Sequence, residues 1–333
     1  MAKRDPVERA SGDDADLYDI STWEERTSVD GLAVFIYRIL AGSARVAVVL
    51  IALLLLLGIG GLAAITDPQT GILTLLSAIP ALGLAAYVYY SDATTSEPLS
   101  LLVATFLLGV LTANFAAVLN GYLKPLFGGF GFVGTILFFY IVVGPVEETV
   151  KLLAVRLYAY TDERFDSVVD GAVYGAMAGL GFATIENALY ITRELPAEGL
   201  DLGLGLIGAG GGITAVRALA GPGHVIYAGI AGYYLGLAKF NRGARGPIIV
   251  KGLLIATFVH ATYNTTVSIG SAIIATVTGL GSLTSFFAYI LIYDGIFGLY
   301  LLRKVKRYND AYNDANATGY GDQSPRSEST EFE

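Results

Sequence analysis

Val46 to Ile65 reads VAVVLIALLLLLGIGGLAAI, twenty residues without a charge or a proline. A helix apolar on every side must be buried in protein or lipid, and at about 1.5 Å per residue this one matches a hydrocarbon layer of roughly 30 Å. Runs of the same kind follow at Gly71 to Tyr90, Pro98 to Leu119, Leu137 to Tyr158, Val169 to Ile191, Leu219 to Ala238, Ile248 to Ile269 and Leu283 to Leu302. The expected fold is therefore all-α, a polytopic transmembrane helical bundle of about eight spans. Leu202 to Ala220 is Gly-rich, carries Arg217 and ends at Gly221-Pro222, so it is expected to be a re-entrant or interfacial entry to the next span.

Composition agrees. The 333 residues are 54% hydrophobic and only 15% charged, well below the roughly 25% charge of soluble domains. The charge is segregated into the ends. Residues 1-44 read as a polar, acidic tail in which Asp30 to Leu40 could form an amphipathic interfacial helix, 45-307 as the transmembrane domain, and 308-333 as a disordered acidic tail. No cleavable signal peptide is expected, because the first forty-odd residues are polar and the first apolar run is too long for an h-region.

Arg38 and Arg45 precede the first span, and Arg164, Lys239/Arg242/Arg245 and Arg303/Lys304/Lys306/Arg307 fall on the same side, leaving mainly Lys124 and Arg193 opposite. Positive charge is retained in the cytoplasm, so both termini are expected there, in a multi-pass protein of the cell membrane. The chain has no cysteine, which excludes disulfides, thiolate ligands and a Cys nucleophile. Its acidic pI of about 4.9 fits solvation at high salt and not nucleic-acid binding. Gly203-x-Gly205-x-x-Gly208 matches a dinucleotide fingerprint but lacks the surrounding βαβ unit, so no nucleotide is expected, and no haem. Asn264-Thr265-Thr266 is a glycosylation sequon only formally, given its depth in a span.

Ionisable groups inside spans are costly and persist where they pair or line a polar cavity. Here they are concentrated: Glu147, Glu148 and Lys151 in the fourth span, Glu186 and Asn187 in the fifth, His224 after Gly221-Pro222-Gly223 with Arg217 ahead of it, and His260 and Asn264 one turn apart. Both histidines of the chain belong to this set. Counted from the cytoplasmic span ends, Glu147, Glu186, His224 and His260 lie at about 16, 26, 21 and 18 Å, one band fed by four helices.

Such a group can activate water. Glu147 or Glu148 could be the general base, with His260 and Asn264 holding the oxyanion. Equally, Glu148, Glu186, His224 and His260 match the ligands of a catalytic zinc, although HExxH spacing is absent. Adjacent Glu147 and Glu148 diverge by about 100° and cannot point the same way. Lys151, at i+4 and i+3 from them, can pair with either. The site expected catalytic is Glu147, Glu148, Glu186, His224, His260 and Asn264, supported by Lys151, Asn187 and Arg217.

Glu147-Glu148-x-x-Lys151, Phe182-x-x-x-Glu186-Asn187, His224 and His260-x-x-x-Asn264, in this order from about Leu137 to Thr266, resemble the motif series of the PrsW family. Asp170-Gly171, Arg217 and Gly232-x-x-x-Gly236 are similar too. The related CAAX prenyl endopeptidases and bacteriocin-immunity proteins carry EExxxR, FxxxH and HxxxN. Lys151 stands one residue earlier than that Arg, and Glu186 replaces that His, so the chain sits on the PrsW side. The resemblance implies an intramembrane endopeptidase, a hydrolase acting on a membrane-anchored protein in the lipid bilayer. PrsW proteins are known for cleaving a membrane-anchored anti-sigma factor outside the cytoplasmic membrane, a substrate not carried over here. The family is commonly labelled as metalloproteases whereas the CAAX group looks glutamate-dependent, which leaves zinc and glutamate mechanisms both open. Two other functions compete: a proton- or cation-coupled transporter, which would also line its path with Glu, His and Asn, and a non-catalytic immunity or scaffold protein.

Overall fold

Long apolar runs broken by Pro, Gly and Asp become helices separated by short turns. The computed structural model describes residues 16–18, 23–58, 61, 66–94, 97–194 and 204–321. Its α-helices are α1 (Ser28–Gly58), α2 (Pro68–Tyr90), α3 (Leu99–Leu123), α4 (Gly131–Phe138), α5 (Gly144–Leu157), α6 (Val168–Glu194), α7 (Leu204–Phe240), α8 (Arg245–Thr278) and α9 (Ser282–Gly321). Packing divides the chain into Met1–Ile51 and Ala52–Glu333.

Among the described residues six stretches are long and apolar enough to cross a membrane, which does not by itself confirm the expected count of about eight. The difference arises in two places. Leu99–Leu157 forms one apolar stretch of 59 residues, within which the chain turns through the 3₁₀ segment Lys124–Phe130 so that α3 packs along α5. Helix α7 is not among the six; its sequence is rich in glycine and interrupted by Pro222 and His224.

Three local expectations are corrected. Residues 204–220 continue into α7 without a break, with Pro222 inside the helix, where Leu202 to Ala220 was expected to be a re-entrant or interfacial entry to the next span. Gly221 leaves room for α2, since a Cβ there would meet Ala81 Cβ at 3.2 Å, and a neighbouring helix makes an intrahelical Pro tolerable. Residues 308–321, expected to be disordered, extend α9. Tyr308 packs against the core and Asn309 Nδ2 donates to Ser91 O at 2.7 Å, contacts that hold this polar turn. The rest of that tail lies outside the described residues, as does most of the N-terminal one. Finally, Asp30 to Leu40 is not a separate helix but the first part of α1, opened by a Thr27–Asp30 capping box.

Helices α6 and α7 form the centre of the larger unit. Gly171, Gly175 and Gly179 on α6 oppose Gly232, Ala228 and His224 on α7. A Cβ on Gly175 would lie 2.3 Å from Ala228 O, and one on Gly171 2.2 Å from Gly232 O, so the backbones approach as closely as small-residue faces allow. Large apolar side chains are instead exposed on the outside, including Leu54, Leu75, Ile79, Leu107, Ile273 and Leu291. Small residues inside and bulky ones outside are what lipid as a solvent requires.

Candidate active site

Helix α5 begins irregularly. Phe139–Val143 forms a π turn, and Pro145, with no N–H, follows it; a missing donor opens the helical ladder and favours such a turn. Gly144 lets α8 approach, as a Cβ there would be 3.0 Å from Thr257 O. The next turn carries Glu147, Glu148 and Lys151, all buried.

The intramembrane polar residues join in one continuous network. Lys151 Nζ donates to Glu148 Oε1 at 2.6 Å and lies 2.9 Å from His224 Nδ1. His260 Nδ1 meets the same Glu148 Oε1 at 2.7 Å. His224 Nε2 is 3.0 Å from Glu186 Oε2, which also accepts from Arg217 Nη2. Arg217 Nε donates to Asn187 Oδ1 at 2.8 Å, and Asn187 Nδ2 to Ser77 Oγ at 2.9 Å. At the other end His260 Nε2 stands 3.7 Å from Glu147 Oε2.

These partners fix the imidazole protons. An ammonium can only donate, so His224 Nδ1 is the acceptor and its Nε2–H points at Glu186. His260 Nδ1–H donates to the Glu148 carboxylate, leaving the Nε2 lone pair towards Glu147. Three carboxylates then face two cations, Lys151 and Arg217, so with neutral imidazoles one negative charge is unmatched. Among the described residues Glu147 Oε2 is buried without a hydrogen-bond partner, a costly state for a charged oxygen unless a proton or a cation joins it.

Sequence reasoning missed several members. Asn120 on α3 donates to Glu147 Oε1 at 3.0 Å. The Tyr227 ring packs on His260 at 5.3 Å, and its hydroxyl donates to buried Asp294 at 2.9 Å. Phe182, already named in the Phe182-x-x-x-Glu186 motif, lies under Lys151 Nζ at 4.4 Å and beside His224 at 5.1 Å. Asn120 and Asp294 are isolated polar residues inside apolar runs, the same signal that singled out the glutamates. Asn264 lines the cavity, but no hydrogen bond joins it to His260 among the described residues.

A cavity of about 470 Å³ reaches this network. Glu147, Glu186, Arg217, His224, His260 and Asn264 line it, as do Lys124 and Arg193, which are exposed at the helix ends. It therefore runs from the buried histidines to the end of the bundle opposite Arg164 and Lys239.

The donors fit a zinc ion, although not as the set expected from sequence. Glu147, His224 and His260 each offer an atom within 4.8 Å of the others; His224, whose two nitrogens are bonded to Lys151 and Glu186, would exchange one of those bonds for the ion. Glu148 Oε1 is occupied by Lys151 and His260 Nδ1, and Glu148 Oε2, though also without a partner among the described residues, does not line the cavity; Glu186 Oε2 is taken up by Arg217 and His224. Glu148 behind His260 is the carboxylate–histidine pairing that orients metal-binding imidazoles, and the unpartnered Glu147 Oε2 is the oxygen such an ion would satisfy.

The profile of the PrsW family intramembrane metalloproteases matches residues 97–293. This chain belongs to the PrsW family. Protease PrsW of Halalkalibacterium halodurans is 33% identical over 187 residues, 56% of this chain and 78% of that protein. Protease PrsW of Bacillus subtilis is 32% identical, again over 56% and 78%, and that of Clostridioides difficile 30%, over 58% and 77%. No solved structure matches the chain. The PrsW match starts before α3 and ends one residue short of Asp294, so it contains every member of the network from Asn120 to His260 but not Ser77. The chain is thus a multi-pass membrane protein of a protease family.

Proposed function

We propose that this PrsW-family protease hydrolyses a peptide bond of a membrane-anchored protein in the cavity beside Glu147. The observation that carries the reading is the buried, unpartnered Glu147 Oε2, 3.7 Å from the His260 Nε2 lone pair in a cavity with exposed residues at its mouth. Water enters past Lys124 and Arg193. Glu147 takes its proton as the water attacks the scissile carbonyl, then returns that proton to the leaving amine. Glu148 holds His260 in one tautomer, and Lys151 holds His224 with its Nε2–H towards Glu186. Asn264 and Arg217 offer donors to the oxyanion.

Where a metal is used instead, Glu147, His224 and His260 would hold a zinc ion, with Glu147 as a ligand and not as the base; the ion when bound would lower the pKa of water and polarise the carbonyl. Both termini lie in the cytoplasm, which puts the cavity mouth on the outer side. The decisive experiment is cleavage of a membrane-anchored substrate by protein reconstituted in liposomes. Glu147→Gln should lower turnover by about 10²- to 10⁴-fold, the usual worth of a general base. Unchanged cleavage would remove Glu147 from the mechanism.

A further inference from the structure

Far from the cavity, where the α2–α3 turn meets the start of α6, three more carboxylates converge. Asp92, Glu97 and Asp170 each offer an oxygen within 4.8 Å of the others. Asp170 is fully buried and closes the Ser167 capping box, accepting from Ser167 N at 3.0 Å and Asp166 N at 2.7 Å. Asp92 Oδ1 accepts from Thr94 N at 2.8 Å. Those bonds account for Asp170 and half of Asp92 but for nothing on Glu97.

Glu97 is only 4% exposed, yet among the described residues neither of its oxygens has a hydrogen-bond partner, and Asp92 Oδ2 has none either. Three buried carboxylate oxygens are thus orphaned at one point. No ion pair joins any of these carboxylates to a Lys or Arg among the described residues. The nearby Lys239 gives its ammonium to the carbonyls of Asp162 and Phe165, at 3.1 and 2.6 Å. Asn309 of α9, held to Ser91 O, has an unpartnered Oδ1 of its own beside this turn.

We propose that Asp92, Glu97 and Asp170 form a second cation site, separate from the intramembrane network, that takes a hard divalent cation and Ca²⁺ best. All the donors are oxygens, which select hard ions over zinc. Three oxygens around one Ca²⁺ at about 2.3–2.6 Å stand about 4.0–4.5 Å apart, so a cluster already within 4.8 Å has to close by only a few tenths of an ångström to hold the ion. Mg²⁺, at about 2.1 Å, would need them about 3.6 Å apart. The ion ties the α2–α3 turn to the first turn of α6, the helix that carries Glu186 and Asn187.

The test uses the full chain in detergent, freed of divalent ions with EGTA. Melting temperature is followed against CaCl₂, with choline chloride at equal ionic strength as control, and bound ⁴⁵Ca²⁺ is counted by equilibrium dialysis. One Ca²⁺ per chain and a rise of several degrees are expected, with binding at least tenfold weaker in Asp92→Asn and Glu97→Gln and retained in His260→Ala. Should Glu97→Gln not fold, Asp92→Asn decides alone, since its Oδ2 makes no hydrogen bond among the described residues. The proposal is overturned if wild-type protein neither binds nor responds to millimolar Ca²⁺. It is also overturned if both carboxamide variants bind as wild type does, or if His260→Ala removes the binding.

Discussion

His260 Nδ1 and Glu148 Oε1 stand 2.7 Å apart, both side chains almost wholly removed from solvent. The pair makes the two adjacent glutamates unlike each other: Glu148 turns inward to an imidazole and an ammonium, Glu147 outward to the cavity. Glu148→Gln should therefore lower cleavage by about 10- to 100-fold, the usual worth of a residue that orients another, and Glu147→Gln by more. Matched expression and melting of the two variants, with turnover measured in liposomes, checks this; a larger loss in Glu148→Gln would reverse the assignment.

Lys151 is buried against Glu148. Replacing it by Met leaves that carboxylate without its cation, and breaking a buried pair from one side costs about 3–5 kcal/mol. Unfolding of Lys151→Met in detergent should show a clear drop in stability. Lys151→Met with Glu148→Gln should recover part of it, and no recovery in the double variant would argue against direct coupling.

If zinc serves at Glu147, His224 and His260, a chelator should abolish cleavage and zinc should restore it. His224→Ala should lower zinc content in elemental analysis as well as turnover. Full activity in protein shown to be metal-free would leave Glu147 as an unaided base.

Gly175→Leu should prevent the α6–α7 contact, because even a Cβ would lie 2.3 Å from the Ala228 carbonyl oxygen. Gly83→Ala, where nothing lies within 4 Å of the new carbon, should be neutral. Size-exclusion profiles and melting curves of the two variants make the comparison; a well-folded Gly175→Leu would show that the helices need not approach so closely.

The proposed topology has a direct readout in a chain without native cysteine. An impermeant maleimide should label Lys124→Cys in intact cells and Arg242→Cys only after lysis. The reverse pattern would put the cavity mouth in the cytoplasm.

Much of this protein was legible in order. Uncharged runs of about twenty residues specify membrane helices because lipid offers the backbone no partners. Glu147, Glu186, His224 and His260 stood out because charge inside such runs is expensive, and their common depth followed from helical rise alone. The motif series pointed to the PrsW family. Helical spacing also required Glu147 and Glu148 to diverge, yet a 100° difference fixes only their relative direction. Which of them faces the cavity depended on where α8 delivers His260 and where α3 delivers Asn120, and those positions are set by close backbone contacts at Gly144 against α8 and at Gly109 and Gly181 between α3 and α6, segments remote in sequence. The Asp92, Glu97 and Asp170 cluster was invisible for the same reason: each residue looks like an ordinary polar group at a helix end, and only the packing of α2, α3 and α6 brings the three carboxylates together.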